Sequence, residues 1–571
     1  MIKDLLQVLP DASTITDVCI VGAGAAGITL AVELARLGQS VTLLEGGGAA
    51  IESESQTPYA SDSGGLPHRG LHTGRFRAMG GTTTMWGGQI LPLQTIDFSP
   101  RPWVPESGWP LTLDELQPHY ARALELEGLG TAHASDEAVW KALGEPHPPS
   151  FAGLDYRFSR WCPEPNFARL HRHALDQSPN LQAWIHANVV EVLLDGDTVR
   201  GVRCRTLSSL QAVFRARRFV FALGAIECSR FFLQPRTGRL PWNDSGLLGM
   251  HFQDHVDSDA ATLVPRNPQQ FRRAFDTAYL SGYKYAPKLI LNEALQREAR
   301  VLNVGATVYA VSEEDEAIAA TKQTAKEILR GRLRQLDRKQ LWTLARHSPL
   351  LLAQAYRYAI EHRAYHPASA TFRLRVHCEQ EPASTSAITL SDQRDALGLL
   401  KTRLTWQISA AELQTVRCFV EHARSSLLPI ADVHPHPALY DSGEKSAADA
   451  FLAQCQDSFH HMGGMRMSSS PARGVVDPDL KLNGTRNCFI CSSAVFPSSG
   501  FSNPTHTLLA LAVRLSQHLA EEAKRLIPES GYAAPPAESP GQGAACEARF
   551  AASKPSSAPP ESPPSMPRSF R

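Results

Sequence analysis

Several things are missing from this sequence, and each absence narrows what the protein can be. There is no net charge: 57 lysines and arginines balance 57 aspartates and glutamates, so nothing draws the chain as a whole to nucleic acid or to an acidic membrane surface. No apolar run reaches the length of a membrane span. Met1–Pro10 (MIKDLLQVLP) is too short and too acidic for a secretory signal. Cysteine is sparse, 10 in 571 residues, and its spacing makes no disulfide framework. A reducing, cytoplasmic setting is therefore expected. What is present is ordinary globular material, 43% apolar and 20% charged, and enough of it for two domains with separate cores.

The most informative stretch is Asp17–Glu45, DVCIVGAGAAGITLAVELARLGQSVTLLE. Val18–Val21 reads as a buried strand, Ile28–Leu37 as a helix that stops at Gly38, and Val41–Leu44 as a second strand ending on Glu45. Gly22, Gly24 and Gly27 fall between the first strand and the helix with the spacing G-x-G-x-x-G, which is the βαβ dinucleotide fingerprint in its required context. Gly22 permits the tight turn, Gly24 lets backbone approach a pyrophosphate at the helix N-terminus, and Gly27 lets helix and strand pack closely. Glu45 stands where a carboxylate accepts a ribose hydroxyl. Gly22, Gly24, Ala25, Ala26, Gly27 and Glu45 are the candidate cofactor contacts. The fingerprint alone does not choose between FAD and NAD; its place near the start of a long chain favours FAD.

Further along, the Ser/Gly-rich segment from Gly46 to Gly70 reads as loop, and GRFRAMGGTTTMWGG (Gly74–Gly88) as a glycine-rich loop suited to a flat ligand or a phosphate. Thr112 and Glu115 form a capping-box pattern for a helix over Leu113–Leu126. Asn188–Cys204 alternates around Asp195-Gly196-Asp197 and predicts a hairpin. Arg218–Ile226 reads as a buried strand ending in a glycine turn. His251 and His255, four apart, have a spacing that can ligate a metal, but Pro241 and Gly249 speak against one helical face, and no metal is expected. Ala317–Arg363 reads as two helices broken near Ser348-Pro349. From Thr321 to Arg363 it carries ten Lys/Arg against three acidic residues, a pattern read as a solvated face. Ala387–Gln407 is strand, turn, strand, and Ser409–Leu428 a helix. Cys488 and Cys491 sit in an apolar strand and pack. From Pro528 to Arg571 lie ten of the chain's 40 prolines with many Ser and Ala, the composition of a disordered tail.

From about Ile15 to Leu526, in order, these stretches resemble the glucose–methanol–choline (GMC) family of FAD-dependent oxidoreductases. Arg77-x-x-Gly80-Gly81-Thr82-Thr83 resembles the family's first signature, which lies along the FAD pyrophosphate and isoalloxazine. Gly224-Ala225-x-x-Cys228-Ser229 with Ser245-Gly246-Leu247-x-Gly249 resembles the second. Val189 stands at the position whose backbone meets the adenine. His460-x-x-Gly463-Gly464, Gly474–Asp477 and Asn503-Pro504-x-x-Thr507 resemble the C-terminal catalytic block. The resemblance implies flavin contacts at Arg77, Gly80, Gly81, Thr82, Thr83, Trp86, Val189, Ser493, Asn503, Pro504 and Thr505. Departures carry information too. Trp86 replaces an Asn common in the family and resembles pyranose oxidases. Met85 stands where pyranose 2-oxidases attach their flavin through a histidine, so the FAD is expected to be non-covalent. Ser492 replaces a frequent Asp, and Cys228 the usual Ser or Thr.

Oxidising a CH–OH group needs a base at the hydroxyl and a fixed hydride acceptor. By its match to the family pair, His460 is the expected base and Asn503 the amide that donates to the same oxygen; His461 is assigned a structural role and His506 a packing role. The expected activity is FAD-dependent oxidation of a sugar, glycoside or other polyol. The alternatives are aliphatic-alcohol, choline-type or sterol oxidation, or a non-redox lyase that keeps FAD. The electron acceptor (oxygen, a quinone or a redox protein) is left open. The expected architecture is α/β, with a Rossmann-like flavin domain from 15–100, 165–256 and 455–527. A sheet-and-helix substrate domain comes from 101–164 and 257–454, with the helical insert 317–363, and the tail is 528–571.

Overall fold

The apolar run before the first glycine forms the strand Ile15–Val21, inside an eight-stranded sheet. The structure is a computed structural model that describes residues 1–133, 135–145, 149–236, 241–312, 348–367, 369–440 and 446–525. Ile15–Val21 pairs in parallel with Val41–Leu44 on one side and Gln211–Phe221 on the other. Leu181–Ile185 and then Ile2–Asp4 extend the sheet beyond Val41–Leu44, again in parallel. Cys488–Ile490 lies parallel to Phe219–Phe221. Their inner segments, Val18–Val21, Val41–Leu44 and Phe219–Phe221, are buried and mainly apolar because helices cover them: the helix Ala25–Arg36 packs on the sheet, Pro504–Arg525 packs on that helix, and Leu113–Leu126 on Pro504–Arg525. Leu113–Leu126 starts at the capping box of Thr112 and Glu115, as the pattern predicts.

The second sheet is antiparallel. In spatial order it runs Ala431–Pro435, Val256–Pro265, Thr371–Cys378, Val304–Val311, Tyr283–Leu291, Leu154–Trp161 and Gln89–Ile90, with Ala278–Leu280 and Gln456–Asp457 paired alongside. Its side chains divide by the period of two. Val256, Leu289, Val304, Ala306, Leu374 and Val376 share a core with Val416, Phe419 and Val420 of the helix Ala410–Ser426. The alternate residues, Asp257, Lys288, Thr307, Arg375 and His377 among them, fall on the opposite face. A third, three-stranded sheet joins Ser61–Gly65 to Leu400–Trp406 and Ala387–Arg394. The chain thus has the expected α/β class, a Rossmann-like sheet beside a sheet-and-helix layer.

Three local expectations are corrected. The segment Gly46–Gly70 is not loop throughout: Ser61–Gly65 pairs in parallel with Leu400–Trp406. That pairing uses backbone bonds to a strand more than 300 positions away, and Ser/Gly composition carries no trace of it. The strand expected over Arg218–Ile226 is Gln211–Phe221; Gly224, at φ 80°, then opens the helix Ala225–Leu233, so Ala225 and Ile226 are helical. Leu113–Leu126, read with the substrate-side segment 101–164, packs instead beside the nucleotide-type sheet, where Arg122 bonds Glu33. Of the helical insert, Ser348–Ala359 is a helix with Pro349 in its first turn; 313–347, and the tail from 526 onward, lie outside the described residues.

Candidate active site

The fingerprint turn follows from its glycines. Gly22 adopts φ 105°, and a Cβ there would stand 2.5 Å from the Ala222 carbonyl oxygen. A Cβ on Gly27 would lie 1.9 Å from the Gly22 oxygen, so only glycine lets the helix start against the turn. Gly24 differs: nothing lies within 4 Å of its Cβ position, and no side chain caps the helix that begins at Ala25. An uncapped helix start facing open space is a seat for an anion. The second glycine-rich loop closes on this turn. The Gly80 N–H donates to the Ala23 oxygen at 2.9 Å, and a Cβ on Gly81 would come within 2.8 Å of the Gly24 Cα. Glu45 is buried, and its carboxylate accepts from the N–H groups of Ala23 (3.0 Å) and Gly47 (2.9 Å). Burial pushes its pKa up against those bonds. Arg77 reaches from the second loop to Asn188, beside Val189, and its Nε is buried without a partner. The open space at Gly24, a carboxylate and an orphaned guanidinium nitrogen together fit a dinucleotide such as FAD.

The other expected contacts line the second loop and the chain's C-terminal third. Thr83 is buried and donates to the Gly80 oxygen at 2.6 Å, whereas Thr82 is exposed. The Trp86 indole donates to the Pro165 oxygen at 2.7 Å and meets Phe167 edge-on. Ser493 spends its hydroxyl on the His461 carbonyl at 2.6 Å, so that side chain holds the turn that carries the histidines. Pro504 opens the helix Pro504–Arg525, with Thr505 in its first turn and Asn503 just before it.

The structure brings His460 and Asn503 together, with Asn503 Nδ2 3.1 Å from His460 Nε2. Behind them lies a second histidine. His255 Nε2 is 2.8 Å from the Gly500 carbonyl, which can only accept, so that nitrogen carries the proton and His255 Nδ1 is an acceptor. His460 Nδ1 lies 2.9 Å from His255 Nδ1 and must therefore donate to it. The relay leaves the lone pair of His460 on Nε2, beside Asn503. Burial and the neighbouring His255 hold the His460 pKa well below the ordinary histidine value, and burial takes His255 down to about 4, so both are neutral at pH 7. The His460 backbone N–H donates to Asp254 at 2.9 Å, and Phe459, immediately before it, is in the left-handed region at φ 62°.

His461 turns the other way. It packs by His68 and Phe252, and a Cβ on Gly70 would come 2.6 Å from its Nε2. With His68 and Asp254 it forms the one group among the described residues with three ligand atoms close together. The tautomer opposes a metal there: the Leu71 N–H donates to His68 Nδ1 at 3.1 Å, so His68 Nε2 carries a proton and donates to Asp254, also at 3.1 Å. His506 lies 2.9 Å from Glu127 and beside Tyr120, against the helix Leu113–Leu126. Sequence reasoning weighed His255 only as a metal ligand, and missed Asp254 altogether. Their partners at 460 and 500 are over 200 positions away, and no local spacing signals the contact.

Comparison with known proteins agrees with this arrangement. A family model described as FAD dependent oxidoreductase matches residues 17–237, and one described as GMC oxidoreductase matches residues 382–512. The chain is 24% identical to 6'''-hydroxyparomomycin C oxidase of Streptomyces lividus, over 89% of this chain and 92% of that one. It is 28% identical to paromamine 6'-oxidase of Streptomyces fradiae, over 44% of this chain and 58% of that one. Its fold is similar to the crystal structure of pyridoxine 4-oxidase from Mesorbium loti, with a TM-score of 0.54 and 16% identity over 88% of this chain and 98% of that one. The nucleotide turn at one end and the histidine–asparagine pair at the other fall within the two matched regions: the chain carries an FAD dependent oxidoreductase region at 17–237 and a GMC oxidoreductase region at 382–512, and it is an FAD-dependent oxidoreductase.

Proposed function

We propose that this protein oxidises a CH–OH group of a sugar or glycoside, with His460 as the base and Asn503 as the donor that holds the reacting oxygen. The observation that carries the reading is the His460–Asn503 pair, with the lone pair of His460 directed to Nε2 by His255. His460 takes the hydroxyl proton on Nε2 and keeps its Nδ1–H bond to His255, so the imidazole stays oriented as it becomes charged. Asn503 Nδ2 donates to the substrate oxygen as negative charge grows there. Bound FAD supplies the hydride acceptor. The Gly24 turn, the amides of Ala25, Ala26 and Gly27, Glu45, Arg77, the Gly80–Thr83 loop, Trp86 and Val189 hold that cofactor in this reading. Ser493, Asn503, Pro504 and Thr505 complete its surroundings. Its attachment is non-covalent, since Met85 is exposed and offers no nucleophile.

The division of labour proposed is 15–100, 165–256 and 455–527 for the cofactor, joined by the helix Leu113–Leu126, and the rest of 101–164 with 257–454 for the substrate. The polar face of the antiparallel sheet supports a hydroxylated substrate. A cavity of about 270 Å³ on this face is bordered by Asp257, Asp259, Arg373, Arg375, His436 and Gln454, a lining of donors and acceptors suited to sugar hydroxyls. The relatives named as oxidases of paromamine and hydroxyparomomycin support a glycoside over an aliphatic alcohol or a sterol.

The test is an anaerobic flavin-reduction screen over sugars, aliphatic alcohols and sterols, followed by reoxidation with oxygen or a quinone. Sugars or glycosides should bleach the flavin fastest. Bleaching by sterols or simple alcohols alone would overturn the substrate reading, and no bleaching by any alcohol would overturn the chemistry.

A further inference from the structure

The loop that leads into Trp109 and the loop that follows Met467 enclose a cavity of about 290 Å³. Small-ligand sites run from roughly 300 to 1,000 Å³, so this one suits a small occupant. Trp109 makes a fixed wall. It is buried, its indole donates to the Ser498 carbonyl at 3.3 Å, and its ring meets Phe496 edge-on and tilts against Phe98. Arg466, Ser468, Ser469, Ser470 and Arg473 border the cavity as well. Ser469, Ser470 and Arg473 are exposed and mark its mouth, whereas Arg466 is 5% exposed. Among the described residues no acid lines the cavity, and neither do the residues assigned above to the cofactor or the reaction.

Arg466 is held from both sides. The N–H groups of its neighbours Met465 and Met467 donate to the carbonyls of Ala494 and Val495, both at 2.9 Å. Its own carbonyl accepts from the Val475 N–H at 2.8 Å, so the loop over 468–474 returns to it. Its guanidinium is buried, yet Nε and Nη1 have no acceptor among the described residues. Glu106 Oε2 comes within 2.7 Å of Nη1 but out of line for a hydrogen bond, and the same oxygen is 3.4 Å from Arg473 Nη2. One partly exposed carboxylate thus faces two guanidinium groups. A positive charge is left over, and the buried donors of Arg466 stay unspent. Such a group is costly to bury unless something else brings the acceptors.

We propose that this cavity is an oxyanion site that binds a phosphoryl group, as free phosphate or as a small phosphate monoester, on Arg466 and Arg473. A guanidinium fork donates in parallel to two oxygens of such a group. That leaves a third oxygen for the hydroxyls of Ser468, Ser469 and Ser470, each of which can donate. A carboxylate has no third oxygen. The site shares no residue with the Gly24 turn or the His460–Asn503 pair, so it stands apart from the sugar reading.

The test is titration calorimetry on the full-length holoenzyme at neutral pH and low salt, with FAD filling the Gly24 turn so that phosphate is not read there. The ligands are inorganic phosphate, methyl phosphate and, as the carboxylate control, acetate. One phosphate or methyl phosphate should bind per chain, and acetate should bind at least about 10-fold more weakly, the scale of one charge-assisted hydrogen bond. Arg466→Met should weaken phosphate binding by at least about 10-fold. Arg473→Glu, at an exposed position, should abolish it with flavin content unchanged. Glu106→Gln should tighten it, because the competing carboxylate is gone. Tighter binding of methyl phosphate than of phosphate names an ester as the ligand, and the reverse order names the free ion; either upholds the site. No binding at millimolar phosphate, acetate binding as tightly as phosphate, or unchanged binding in Arg473→Glu overturns it. If Arg466→Met does not fold, the opposite effects of Arg473→Glu and Glu106→Gln still decide.

Discussion

Replacing His255 with phenylalanine separates the two things this residue does: it fills a buried space and it sets where the His460 proton sits. Phenylalanine keeps the bulk and removes the acceptor. The Nδ1–H of His460 is then left without its 2.9 Å partner, and an unsatisfied buried donor costs about 1–3 kcal/mol. That cost favours the tautomer with the proton on Nε2, which has no lone pair to offer the substrate. Only the remaining fraction of molecules is competent, so flavin reduction should slow by about 10–100-fold, one tenfold step per roughly 1.4 kcal/mol. The upper bound is about 10⁴-fold, the loss seen when a catalytic histidine is locked in the wrong tautomer. The assay is anaerobic stopped-flow reduction on protein with full flavin content. His255→Gln decides between position and packing: its amide can donate to the Gly500 carbonyl and accept from His460 Nδ1, and should recover most of the rate. Wild-type reduction by His255→Phe would refute the relay. Equal loss in the Phe and Gln variants would reduce His255 to a filler.

His460→Ala should retain FAD and slow reduction by roughly 10²–10⁴-fold, the usual contribution of a positioned base, whereas His461→Ala should lose only a modest part of the rate; a reversed order in stopped-flow traces would mean the base has been misassigned. Because burial depresses the His460 pKa, the unprotonated form persists well below the ordinary histidine pKa. The reduction rate should be flat from about pH 6.5 upward and fall only on the acid side, where Nε2 is protonated; a rising limb between pH 7 and 9 would contradict the neutral assignment. Gly24→Val should abolish flavin binding, since its side chain fills the open space at the helix start; normal absorbance of bound flavin in that variant would end the reading of the turn. Acid precipitation should send all the yellow colour to the supernatant, and flavin left in the pellet would show a covalent link.

What was legible in the sequence is what short-range geometry dictates. The helix Leu113–Leu126 was readable to the residue because Thr112 and Glu115 cap it from within one turn. The hairpin around Gly196 was readable because the glycine sits between two alternating runs. The βαβ turn was readable because three glycines in six positions answer three separate steric demands. The limits lie where a partner is distant. Ser61–Gly65 is a strand because Leu400–Trp406 offers it backbone bonds. His255 matters because strand pairing and the loop at Gly500 bring His460 to it. Lys288 looks like any strand lysine until the pairing of the sheet buries it beside Thr307. Family resemblance reached His460 and Asn503, whereas the residues that hold or surround them emerged only from the packing.

The parallel pairing of Cys488–Ile490 with Phe219–Phe221 also governs how this protein is made. The sheet that begins at Ile2 is not finished until residues near 490 have emerged from the ribosome, and Asn503 follows later still. At about 5–20 residues per second, the gap between synthesis of the fingerprint and completion of the sheet is tens of seconds. During that time the edge at Phe219–Phe221 is unpaired and the apolar face meant for the last helix is bare, an aggregation hazard for the growing chain. Cofactor supply then becomes a question of timing. FAD offered to nascent chains meets half a cradle, and loading belongs to the moment after the last helix docks.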